Sequence, residues 1–189
     1  MKNQCTGVIL AGGLSSRMGS DKAKLRRGDS SMLAFCKTLL EDLQVSDIRI
    51  SRNVGEGIKD VFEQCGPLGG IHAVLKAIQS TEAKSRAVII IPVDMPLLQS
   101  NDLIQLIEHG QQINRPVCFA DCYLPLYLPV NYAVINYLED QLSNDGNRKI
   151  RGLIEHFDGV QLAHQNQSLL VNTNTPQQWQ QFIAQQLTQ

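Results

Sequence analysis

Three short stretches of the chain gather residue types that handle phosphate. In "VILAGGLSSRMGSDKAKL" (8–25) an apolar run stops at Gly12 and Gly13, and Arg17, Lys22 and Lys24 follow, interleaved with Ser15, Ser16 and Gly19. Cationic donors and exposed backbone amides converging on one small volume are the chemistry of a polyphosphate site. The stretch is neither a P-loop nor G-x-G-x-x-G. A plain chain turn at Gly12 and Gly13 is the alternative, and the cations behind it weigh against that. In "IIIPVDMPLL" (89–98) Asp94 directly follows a hydrophobic run, stiffened by Pro92 and Pro96. Mg²⁺ keeps several waters and takes one or two protein carboxylates, so Asp94 is the candidate metal ligand. As a helix cap it is placed less well than Ser100 or Asn101. In "CGPLGGIHAVL" (65–75) Gly66, Gly69 and Gly70 precede a helical pattern, which suits close backbone approach to a flat ligand and free amides at a helix N-terminus. An ordinary tight turn satisfies that stretch equally.

The elements that must position these residues follow from periodicity. Runs rich in β-branched residues at 6–11, 47–51 and 86–93 read as strands, and "VIII" (88–91) as a central, doubly covered one. Between them, Met32, Cys36, Leu39 and Leu43 share one helical stripe, as do Ile71, Val74, Leu75 and Ile78. Strands alternating with helices predict an α/β fold with a mostly parallel central sheet covered by helices on both faces. A further helix is expected over 101–110 with Ser100 or Asn101 as cap and Gly110 as stop, then two strands with a turn over 115–130, and a helix over 131–142. The tail from Thr175, with Pro176 at the first helical position and Trp179, Phe182, Ile183 and Leu187 at helical spacing, reads as a docked amphipathic helix. Ligands in such sheets bind outside the carboxyl ends of the strands, where Gly12 and Asp94 both fall.

The chain has 189 residues, 43% of them hydrophobic, which suits a single domain. A net charge of -1 gives no basic field for nucleic acid or an anionic membrane surface, and no apolar run approaches a membrane span. Five scattered cysteines and an N-terminus without a secretory pattern fit a reduced, cytoplasmic setting. The C-x3-C pair Cys118 and Cys122 has no second pair or nearby histidine to make a zinc site. The four histidines, His72, His109, His156 and His164, are dispersed and read as structural or exposed.

In order and spacing, "LAGGLSSRMGSDKAKL", "GPLGGIHA", "VDMPLL" and "VNTNTP" resemble the molybdenum cofactor guanylyltransferases, within the wider small-molecule nucleotidyltransferase group, across essentially the whole chain. The resemblance implies a three-layer Rossmann-like fold, with a nucleotide-binding part over about 1–110 and a pterin-substrate part over about 111–189. It implies GTP along Leu10, Ala11, Gly12 and Gly13, Lys22 on its phosphates, Asp60 on the nucleotide, and Asp94 on both the nucleotide and Mg²⁺. The family's nucleotide-contacting asparagine falls near Ser51 or Asn53, strict register giving Ser51, and that contact is not carried over. Asn172 and Asn174, and "GNRKIRGLI" with Arg148 and Arg151, resemble the pterin side, to which Gly66 and Gly70 are added.

The expected reaction is attack of the molybdopterin phosphate on the α-phosphorus of GTP, releasing pyrophosphate, with Arg17, Lys22 and Asp94 as the catalytic groups. The expected partners are GTP and molybdopterin or molybdenum cofactor, with a monomer making transient contacts to other cofactor-biosynthesis proteins. A cytidylyltransferase acting on molybdopterin or another small phosphorylated substrate is the nearest alternative. A non-catalytic nucleotide sensor is the alternative from another class.

Overall fold

A computed structural model describes residues 3–12, 21–81, 85–144 and 146–186. Six strands form one sheet: β1 (Asn3–Leu10), β4 (Val45–Ser51), β5 (Ala87–Pro92), β6 (Val117–Phe119), β7 (Cys122–Pro129) and β8 (Val160–Leu162), in the order β4-β1-β5-β7-β6-β8. β1 runs parallel to β4 and β5, whereas β7 pairs antiparallel with both β5 and β6. The reversal has a local cause. β6 and β7 are joined by a turn in which Asp121 takes a left-handed conformation (φ 60°), and so short a connection can only reverse the chain. β8 then returns parallel to β6. The sheet is therefore mostly parallel, as the alternating pattern predicts, but β8 was not foreseen. At three residues it carries no periodicity to read.

Helices cover both faces. α1 (Met32–Asp42) and α3 (Ser100–Ile113) pack on Ile9, Ile89 and Ile91. α2 (Gly66–Gln79), α4 (Tyr132–Ser143) and α5 (Ile150–His156) pack on Val8, Val88 and Ile90. Alternate residues of one strand thus enter opposite cores, and every residue of β5 is buried, which makes it the central strand of three layers. α6 (Pro176–Gln186) rests Trp179 against the first core, and the Thr175 hydroxyl accepts from the Gln178 amide as its cap. A short hairpin of β2 (Arg26–Arg27) and β3 (Ser30–Ser31) precedes α1. Among the described residues no helix is long and apolar enough to cross a membrane.

Two expectations for α3 change. Its cap is Gln99, in a reciprocal box with Asp102, because Ser100 is already helical. Gly110 lies inside α3 rather than ending it: a Cβ there would come 2.0 Å from the Tyr127 ring, and the helix stops at left-handed Asn114.

Candidate functional site

The carboxyl ends of β1, β4 and β5 coincide, with Leu10 level with both Ser51 and Pro92. The Val93 amide donates to the Leu10 carbonyl at 3.1 Å and the Ala11 amide to Ser51 at 2.9 Å, extending the ladder into the loops. Outside this edge lies a cleft of about 960 Å³, lined in part by Leu10, Ala11, Gly12, Lys22, Asp60, Gly66, Asp94 and Asn172. A Cβ on Gly12 would meet its nearest protein atoms at 3.7 Å, so the glycine keeps cleft space open rather than relieving a clash inside the chain. Gly66 opens α2 at φ 61°, and nothing lies within 4 Å of where its Cβ would be. Gly13 and Arg17 lie outside the described residues.

Lys22 stands on a 3₁₀ turn, Lys22–Lys24, whose N-cap Asp21 accepts from the Ala23 amide at 3.1 Å and forms an ion pair with Arg52. Ala23 is buried, so the turn is anchored while Lys22 reaches the cleft. Its Nζ donates to Asp94 Oδ2 at 2.8 Å and to Asn174 Oδ1 at 2.7 Å. Lys24, grouped with it on sequence, is exposed and does not line the cleft.

Asp94 is held from behind as well. Its carbonyl accepts from the Thr173 amide at 2.8 Å and the Thr173 hydroxyl at 3.1 Å, which straps the segment around Asn172 and Asn174 to the end of β5. Arg27 lies 4.2 Å over the Phe35 ring and donates to the Pro96 carbonyl, fixing the turn that follows. Among the described residues Asp94 Oδ1 has no hydrogen-bond partner, although it is buried. A hard, unpartnered carboxylate oxygen fits Mg²⁺ or Mn²⁺.

At the other end, the chain folds back after β4. Arg52 and Ile58 pair, and the Asn53 side chain donates to Asp60 Oδ2 at 2.9 Å while accepting from the Asp60 amide at 2.8 Å. Asp60 Oδ1 and Asn172 Oδ1 are also buried and without a partner among the described residues. Buried polar atoms are ordinarily satisfied, so three orphaned oxygens on residues lining one cleft mark where a ligand would supply partners. Asn53 and Lys59, neither chosen from sequence, line the same cleft. Ser51, the strict-register choice for the asparagine position, is buried against α2 and does not.

Gly70 is corrected. It is buried beneath the sheet edge, and a Cβ there would come 2.4 Å from Ser51 Oγ, so packing of α2 on β4 explains it. Asn174 meets Lys22 without lining the cleft, and neither Arg148 nor Arg151 lines it; Arg151 pairs with Glu155 on the surface. None of the histidines lines the cleft either. His164 pairs with Asp102 at 2.8 Å, His156 stacks on Tyr137, and burial pushes the pKa of His72 down. Burial pushes the thiols of Cys5, Cys36 and Cys118 up to about 12, so they are poor nucleophiles. Among the described residues no group of three His, Cys, Asp or Glu side chains gathers as a metal cage.

Among the described lining residues Lys22 and Lys59 face Asp60, Glu63 and Asp94, two cations against three carboxylates. A polyphosphate would add negative charge beside these carboxylates.

Residues 7–166 match the MobA-like NTP transferase domain family. The chain is 34% identical over 183 residues to a molybdenum cofactor guanylyltransferase of Xanthomonas euvesicatoria pv. vesicatoria, covering 94% of each protein. In fold it is similar to the molybdopterin-guanine dinucleotide biosynthesis protein A of Archaeoglobus fulgidus, with TM-score 0.75, 18% identity and coverage of 96% of this chain and 99% of that one. It is also similar to a Mycobacterium tuberculosis protein, Rv0371c, solved in complex with manganese, with TM-score 0.67, 16% identity and coverage of 96% and 99%.

Proposed function

Because the chain belongs to the MobA-like NTP transferase family, we propose that it transfers GMP from GTP to the phosphate of molybdopterin, forming the guanine dinucleotide of the cofactor. The observation that carries this reading is the meeting of Lys22 and Asp94 at the carboxyl edge of the sheet, with the second oxygen of Asp94 buried and unpartnered in the cleft.

In the reaction an oxygen of the molybdopterin phosphate attacks the α-phosphorus of GTP. A new phosphoanhydride bond forms, the α–β bridging bond breaks, and pyrophosphate leaves with the electron pair. The nucleophile is already anionic near neutral pH, so no strong general base is required. The barrier lies in bringing anions together, and the chain's part is positioning and charge. Leu10, Ala11 and Gly12 lie along base and ribose. Asp60 accepts from the base, and Lys22 donates to phosphate oxygens. Asn172 and Gly66 face the incoming pterin. Asp94 would hold Mg²⁺ through its carboxylate oxygen, since that ion takes only one or two protein ligands. The chemistry supplied by an ion held there would be neutralisation of charge on the triphosphate and on pyrophosphate. Five free cysteines suit a reducing cytoplasm.

The test is incubation with molybdopterin, Mg²⁺ or Mn²⁺, and each of GTP, CTP, ATP and UTP in turn, followed by mass analysis of the pterin. A guanine-bearing product with GTP is expected. A cytosine-bearing product, or GTP binding with no pterin product, overturns the assignment.

A further inference from the structure

Segments 152 positions apart meet at a single ammonium group, where Lys22 Nζ donates to Asn174 Oδ1 at 2.7 Å while also donating to Asp94 Oδ2. A lysine has three N–H donors, so two fixed bonds leave one for an incoming acceptor. Its long stem loses rotamer freedom whenever the head is immobilised, and a head held in advance does not charge that loss to ligand binding. The two partners differ in kind. Asp94 offsets the lysine charge, whereas the amide oxygen of Asn174 orients the ammonium and leaves its charge intact for an anion.

Asn174 is itself fixed. Its backbone N–H donates to Gln178 Oε1 at 2.7 Å, the Thr175 backbone N–H donates to the same oxygen at 3.1 Å, and neighbouring Thr173 is clamped to the Asp94 carbonyl. Asn172, two positions earlier, lines the cleft, and Asn174 does not.

We infer that Asn174 is a positioning residue for the nucleotide half of the reaction, orienting Lys22 toward the GTP phosphates rather than touching the pterin. The inference rests on the reading that Lys22 binds phosphate. Calorimetric titration of GTP with Mg²⁺, in the absence of molybdopterin, tests it on the parent protein, Asn174→Ala, Lys22→Ala and the double variant, with guanosine as the phosphate-free control.

Asn174→Ala is expected to weaken GTP by about three- to tenfold, the scale of one net hydrogen bond, and to leave guanosine unchanged. In the Lys22→Ala background it should have no further effect, since the interaction it removes is already gone. Unchanged GTP affinity in Asn174→Ala beside a clear loss in Lys22→Ala overturns the positioning role alone and returns Asn174 to the acceptor side. An equal loss in both backgrounds also overturns it, because Asn174 would then act without Lys22. Unchanged affinity in Lys22→Ala removes the phosphate reading and this inference with it.

Discussion

At one end of the cleft Asp94 is gripped by Lys22 and Thr173, residues 72 and 79 positions away; at the other Asp60 is gripped by Asn53, seven positions away. Both carboxylates spend one oxygen on a hydrogen bond within the chain and keep the other buried and unpartnered. A buried polar atom left so costs roughly 1–3 kcal/mol, and more when charged, so both ends are poised to recover that cost from a ligand. They differ in how much of the fold each needs. The Asp60 end is a single loop that folds back on the end of β4 and draws on no distant segment for its hydrogen bonds, which suits a part that selects the base. The Asp94 end exists only when the N-terminal loop, the end of β5 and the segment before α6 have converged, which suits the shared chemistry.

The sharpest way to break this contrast is Asp94→Ala. If the Asp94 end carries the chemistry, Mg²⁺-dependent pyrophosphate release should fall about 10²- to 10³-fold. The melting temperature should shift by no more than a few degrees, because the Thr173 clamp holds the backbone carbonyl and survives the substitution. Turnover within tenfold of the parent would mean that the two ends do not divide the work in this way.

Asn53→Ala probes the other end with a smaller effect. It removes both side-chain bonds that aim Asp60 and leaves the carboxylate itself in place. The GTP dissociation constant should rise about tenfold, while kcat at saturating GTP changes less than about twofold, the signature of lost uniform binding. Equal losses in kcat and kcat/KM would place Asn53 in the chemical step and merge the two ends.

The same contrast explains what the sequence made legible. Asp94 and the Gly12 loop could be read because each directly follows an apolar, β-branched run, so strand end and functional residue share one local signal. The central strands and their helices were readable for the same reason. Asn53 could not be separated from Ser51, because what buries Ser51 is a helix arriving from residue 66 onward, and no local pattern encodes that contact. Gly70 was misread for the matching reason, a packing glycine being indistinguishable in one sequence from a ligand-facing one. Gly110 misled in the same way: a stop signal by type, it is in fact a notch for Tyr127. The bond from Lys22 to Asn174 joins opposite ends of the chain and leaves no trace in spacing.

Gly70→Ala tests the smallest difference between the ends. The added methyl would sit 2.4 Å from Ser51 Oγ and 3.3 Å from Leu10 Cδ2, so α2 and the end of β4 must move apart. Overpacking of this kind costs about 1–3 kcal/mol, which urea unfolding reads directly. Ser51 leads straight into Arg52 and Asn53, so the displacement should pass to the Asp60 loop and raise the GTP dissociation constant by about two- to fivefold, a fraction of the loss expected from deleting the Asn53 bonds. The Asp94 end hangs on β5 and Thr173 instead, and kcat should stay near the parent value. A kcat loss exceeding the affinity loss would show that the strand ends transmit strain across the whole edge, and that the local end is not separable from the convergent one.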